Sequence, residues 1–143
     1  MKSAIFFLVA ATLWWTGCST PNTPDETKRL EGTYFCESAV INGKRLPEQK
    51  RTRLRLTLTD KRYRTEDGSE VLFDSTYKLD QHASPKQISM VGTEGDLIGK
   101  EALGIYSLQA NKLRICYTMP GKPRPTSFES PAGSGAYFLV WRR

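Results

Sequence analysis

The chain offers few residues from which a reaction could be built. Its one histidine, His82, lies in Asp80-Gln81-His82-Ala83-Ser84-Pro85. Catalysis of the Ser–His–Asp or Cys–His kind needs a base of near-neutral pKa held beside the nucleophile. A histidine in a polar loop reads as solvated, and no Gly-x-Ser-x-Gly elbow occurs. One imidazole with two distant cysteines, Cys36 and Cys116, does not make a metal site. Carboxylate pairs for glycoside hydrolysis need only meet in space. Here, however, Asp60, Asp67, Asp80 and Asp96 stand in turn sequences that already account for them. The glycines of Gly92 to Gly99 have no Gly-Lys continuation and no following helix, so they do not form a phosphate cradle. The residues therefore read as a binding protein without catalysis and without a cofactor.

Two sets of side chains could bind. Tyr34, Tyr63, Tyr77, Tyr106 and Tyr117 alternate with apolar residues in extended runs, among Leu54, Leu56, Phe73, Ile88 and Met90. Tyrosine gives an apolar wall with a polar tip, which suits a small apolar or amphipathic ligand. The alternative is that these rings simply fill the interior. The second set is basic: Arg53, Arg55, Arg62 and Arg64 on one hairpin, with Lys122 and Arg124 in a proline-rich loop. These would dock an anionic polymer or a protein partner. The alternative is a solvated outer face. Nucleic acid is not an expected partner, and a monomer is expected.

These side chains must be positioned by strands. Arg53-Leu54-Arg55-Leu56-Thr57-Leu58-Thr59 alternates with a period of two, so the three leucines face a core. With a two-residue turn at Asp60-Lys61, Arg55 falls opposite Glu66. Gly32 to Ile41 reads as a first strand ending at the turn signal Asn42-Gly43, with Tyr34, Cys36 and Ser38 on one face. Leu46-Pro47-Glu48-Gln49-Lys50 suits one helical turn. Val71, Phe73, Ser75, Tyr77 and Leu79 share a face of a longer strand, opposite Asp74 and Lys78.

Further strands run over Lys86–Val91, Glu101–Gln109, Lys112–Met119 and Ala136–Trp141, with a short one at Thr126–Glu129. Turn-separated runs of this kind, with no long helical pattern, describe an all-β antiparallel barrel or sandwich of about eight strands. Closure would remove the edge that a strand as apolar as Tyr137 to Trp141 could not leave free. Cys36 shares a face with Tyr34, whereas Cys116 lies opposite Leu113, Ile115 and Tyr117, so the two thiols are not expected to bond. In Pro120-Gly121-Lys122-Pro123-Arg124-Pro125 the prolines lack donors, so this loop cannot extend a sheet.

The net charge of +6 includes Lys2, the charged start of an apolar run from Ala4 to Trp15. That run is short for a bilayer-spanning helix but right for an export signal. Thr16-Gly17-Cys18-Ser19 follows, and it resembles the lipobox of bacterial lipoproteins, with Trp15 where that pattern usually carries leucine. The resemblance implies cleavage before Cys18, lipid attachment to Cys18, and anchoring to a membrane of the cell envelope; the alternative is ordinary cleavage and secretion. The expected organisation is a signal at 1–17, an extended tether at 18–29 and a barrel domain at 30–143.

From Leu30 onward the chain also resembles a secreted bacterial lipocalin-like domain family of unknown function, of planctomycete type. The matching residues include Leu30-Glu31-Gly32-Thr33-Tyr34, Asn42-Gly43-Lys44, Leu54-Arg55-Leu56-Thr57, Gly104-Ile105-Tyr106-Ser107-Leu108, Leu113-Arg114-Ile115-Cys116-Tyr117 and Pro120 to Thr126. Tyr34 stands where such first strands usually carry tryptophan. The resemblance implies an antiparallel lipocalin-like β-barrel of eight strands and no particular activity.

Overall fold

The computed structural model describes residues 25–143. The expected signal peptide, Cys18 and most of the expected tether lie outside the described residues. The element order is α1 (Glu26–Leu30), β1 (Gly32–Ile41), β2 (Lys44–Arg45), α2 (Glu48–Arg51), β3 (Leu54–Leu58), β4 (Arg62–Asp67) and β5 (Glu70–Asp80). It continues with β6 (Gln87–Gly92), a 3₁₀ turn at Gly95–Leu97, β7 (Glu101–Gln109), β8 (Lys112–Thr118) and β9 (Ala136–Arg142).

Neighbouring strands pair antiparallel from β1 through β3 to β9, and β9 pairs back onto β1. The result is a closed eight-stranded up-and-down barrel of lipocalin-like architecture, with the two-residue β2 as a flap on β1. Closure satisfies the ladder groups of the apolar final strand, which an open sheet would leave exposed. The leucine alternation holds: Leu54, Leu56 and Leu58 are buried while Arg55 is exposed between them. Arg55 stands opposite Glu66, the register that the two-residue turn requires.

Two β-bulges break the parity expected from the sequence. In β1, Cys36 pairs with Trp141 but Ser38 pairs with Val140, so Glu37 is the extra residue. Ser38 therefore leaves the face of Tyr34 and Cys36, and Ala39 turns inward and is fully buried. In β5, Phe73 pairs with Thr65 and Val71 with Glu66, so Leu72 is extra. Val71 consequently joins Glu66 on the outside instead of sharing a face with Phe73.

Residues 25–29, expected to belong to an extended tether, are folded instead. Asp25 caps α1 by accepting from the Thr27 amide (3.1 Å), with Glu26 in the first turn and Lys28 and Arg29 in the last. This short helix covers one end of the barrel. Leu30 is buried there; its carbonyl accepts from the Tyr34 hydroxyl (2.8 Å). The Arg143 guanidinium donates to the carbonyls of Arg29 and Glu31. Lys86 Nζ reaches the buried Glu26 carboxylate at 2.6 Å. Among the described residues, the folded unit thus includes 25–29 as well as the barrel. The core, the closed ladder and the plug described above all lie within 25–143.

The segment between β8 and β9 contains no strand at Thr126–Glu129. It folds back along the outside of the barrel instead. Phe128 and Phe138 pack over Ile105, Cys116 and Ala136, and the Arg114 guanidinium lies 4.3 Å from the Phe128 ring centroid. Prolines remove the donors a strand would need, and apolar side chains beneath the loop give it a surface to cover.

Candidate functional site

The plug closes the end of the barrel where β1 begins and β5 and β7 finish. The other end is open. There a cavity of about 330 Å³ is lined by residues including Leu54, Thr65, Phe73, Tyr117, Tyr137 and Trp141. Exposed Leu72, carried out by the β5 bulge, stands at its rim, as does Lys50 on α2. Other surface depressions differ in character. The groove between β1 and α2, for example, is lined by Glu37, Arg45, Glu48 and Arg51. Apolar lining with few polar groups is what a small-molecule pocket usually presents.

The five tyrosines all belong to the buried core, but they do not meet at one place. Tyr34, Tyr77 and Tyr106 serve the plugged end. The Tyr34 hydroxyl donates to Leu30, the Tyr77 hydroxyl donates to the Thr59 carbonyl (3.0 Å), and the Tyr106 hydroxyl faces the Glu26 carboxylate. Burial pushes the Tyr77 phenol up to about 12, with nearby acidic groups adding to the shift. Burial and then Glu26 push Tyr106 up as well. Tyr63 is wholly buried mid-barrel, edge-on to Phe73 with ring centroids 6.1 Å apart. Only Tyr117 of the five lines the cavity. It is stacked on Tyr137 at 5.1 Å with ring planes 11° apart. Tyr137 and Trp141, not singled out from sequence, complete the wall. Their inward parity on β9 was legible, but the end of the barrel that stays open was not.

Trp141 is fully buried at the floor of this cavity, across from Cys36 and Leu113. Its Nε1 has no hydrogen-bond partner, nor has the hydroxyl of Tyr63. Buried donors are nearly always paired, and with the Tyr106 hydroxyl, which faces Glu26 without a hydrogen bond to it, these make three orphans among the core side chains.

The basic residues do not form one surface. Arg53 Nε meets Asp67 at 2.8 Å. Arg62 holds Asp74 through two hydrogen bonds, and Arg64 adds a third at 3.1 Å while also reaching Glu66. Asp74 was expected on a solvated face, and it does point outward. Yet its carboxylate is covered, because the Gly92–Gly99 connection folds over it and Thr93 donates to it. The Arg62 hydrogen bonds hold its pKa below the ordinary value against the desolvation that would raise it, with both arginine charges helping. Arg55 lies over the Phe35 ring at 5.8 Å. Arg124 is spent within the fold, donating to the carbonyls of Ile88 (2.9 Å) and Gly104 (2.6 Å) and to the Ser89 hydroxyl. Lys122 is exposed and lies along Gly135.

Cys36 and Cys116 are free and buried on opposite sides of the barrel wall: Cys36 in the core, Cys116 beneath the outer loop with its thiol donating to the Glu129 carbonyl. Burial pushes the Cys36 thiol up to about 11 despite Arg51 nearby. His82 is exposed in the β5–β6 loop. Among the described residues no group of three or more His, Cys, Asp or Glu could hold a metal ion, and no helix is long and apolar enough to cross a membrane.

No family model, characterised protein or solved structure matches the chain. The geometry of the barrel is therefore what bears on function.

Proposed function

We propose that this chain is a cell-envelope protein, held to a membrane by lipid on Cys18, whose monomeric lipocalin-like barrel binds a small apolar or amphipathic ligand at its open end. The observation that carries the binding reading is the mouth cavity of about 330 Å³ with its aromatic wall. Its size reaches the lower end of ordinary ligand pockets, roughly 300 Å³. Docking of an anionic polymer is the weaker reading, because Arg53, Arg62 and Arg64 are already paired with carboxylates and Arg124 with carbonyls.

Trp141 is the sole tryptophan of residues 25–143, which makes it a reporter placed in the cavity. Titration of that span with N-phenyl-1-naphthylamine should show saturable energy transfer from Trp141. Thr65→Phe, which sets a ring into the cavity, should abolish it. Absence of saturable transfer, or transfer indifferent to Thr65→Phe, would rule the cavity out as a binding site. Anchoring is tested on the full chain. Mass spectrometry of protein from the membrane fraction should find acyl mass on Cys18, and Cys18→Ser should release the protein.

A further inference from the structure

The cavity is not uniformly apolar, and its polar groups are arranged by depth. The two charged side chains that line it, Lys50 and Asp67, belong to the rim: Lys50 is exposed, and Asp67 is held by Arg53 at 2.8 Å. The wall carries the stacked rings of Tyr117 and Tyr137. On β9, Trp141 lies two residues beyond Leu139 and four beyond Tyr137, away from the mouth, so it forms the floor. Trp141 is fully buried and its Nε1 is unpartnered. Indole is a donor only, and it carries no charge.

We propose that the ligand is a neutral apolar molecule carrying a hydrogen-bond acceptor, such as a carbonyl or ether oxygen, which enters acceptor-first and takes the Trp141 Nε1–H. This rests on the ligand-binding reading above and specifies its chemistry. The physical argument has two parts. An unmade buried hydrogen bond is costly, so an occupant that completes it is favoured over an equally apolar one that does not. A carboxylate at the same depth would be desolvated beside a neutral donor, with the nearest lining cation up at the rim, and would bind poorly that way round. The unpartnered hydroxyls of Tyr63 and Tyr106 are further buried donors within the same barrel interior, but neither residue lines the cavity.

The test compares three probes of similar length on residues 25–143: decane, 2-decanone and decanoate. Trp141 fluorescence should give 2-decanone an affinity about three- to tenfold above that of decane, the advantage of one completed hydrogen bond. Trp141→Phe, followed by tyrosine fluorescence, should erase that advantage, so that decane and 2-decanone bind the variant equally well. Should the variant fail to fold, the wild-type domain still decides the matter. Its single indole N–H resonance should move downfield with 2-decanone and stay in place with decane. Equal affinities with an unmoved indole resonance would overturn the acceptor assignment while leaving the binding function standing. Decanoate binding tightest, with the gain lost in Lys50→Ala, would overturn it in favour of tail-first entry. Binding of none of the three would remove the binding function itself.

Discussion

Replacing Leu30 by alanine tests whether residues 25–30 plug the barrel or merely trail from it. The leucine is 1% exposed and packs in the main core, although its composition context, Thr27-Lys28-Arg29, looks like solvated linker. Removing three buried carbons costs roughly 0.8 kcal/mol each in transfer alone. The void left behind adds to this, and buried Leu→Ala changes span about 2–5 kcal/mol. Leu30 sits at the end of the barrel on a one-turn helix that can settle inward, which places the expected loss near the lower end, about 2–3 kcal/mol. For a domain of this size that is a fall in Tm of roughly 8–12 °C.

The assay is urea unfolding of residues 25–143 followed by circular dichroism, with the midpoint shifted and the slope unchanged. Hydrogen exchange supplies the local view. The Glu31 amide, which donates to the Lys28 carbonyl, should lose protection ahead of the β8 ladder. A loss below about 0.5 kcal/mol, the level of an ordinary surface substitution, would refute the plug and restore the tether reading.

Asp74→Asn should destabilise the barrel at neutral pH. Since the native carboxyl titrates below its unfolded value, the stability it contributes is present above about pH 4 and is lost as pH falls through the native pKa. The gap between the urea midpoints of wild type and variant should therefore narrow as pH falls below about 4, and a gap that stays constant through the acid range would refute the charge argument. Gly43→Ala and Gly121→Ala both force alanine into a positive φ, but only at Gly43 would the new Cβ meet backbone, 2.6 Å from the Ala132 nitrogen. Gly43→Ala should cost at least about 1 kcal/mol more than Gly121→Ala in thermal unfolding. Without prior reduction, residues 25–143 should take two alkyl labels when denatured and react slowly at pH 8 when native. Label-free denatured protein would mean that Cys36 and Cys116 had found each other.

The sequence by itself determined what depends on local period and turn chemistry. The alternation of Leu54, Leu56 and Leu58 requires one dry face, and Asn42-Gly43, with φ of 49° and 81°, adopts the left-handed pair such a hairpin turn needs. The Arg55–Glu66 register follows from a two-residue turn, and opposite parity kept Cys36 and Cys116 apart. Only the tertiary structure decided matters that depend on partners distant in the chain. An extra residue in one strand is defined by counting against its neighbour, so the bulges at Glu37 and Leu72 leave no periodic trace, yet they turn Ala39 inward and Val71 outward. Asp74 becomes buried because a loop twenty residues on folds over it. A helix of one turn has almost no intrinsic stability, so α1 exists through what it covers. That plug in turn makes the opposite end the mouth, which is why three of the five tyrosines seal the barrel and Trp141 lies at the bottom of its cavity.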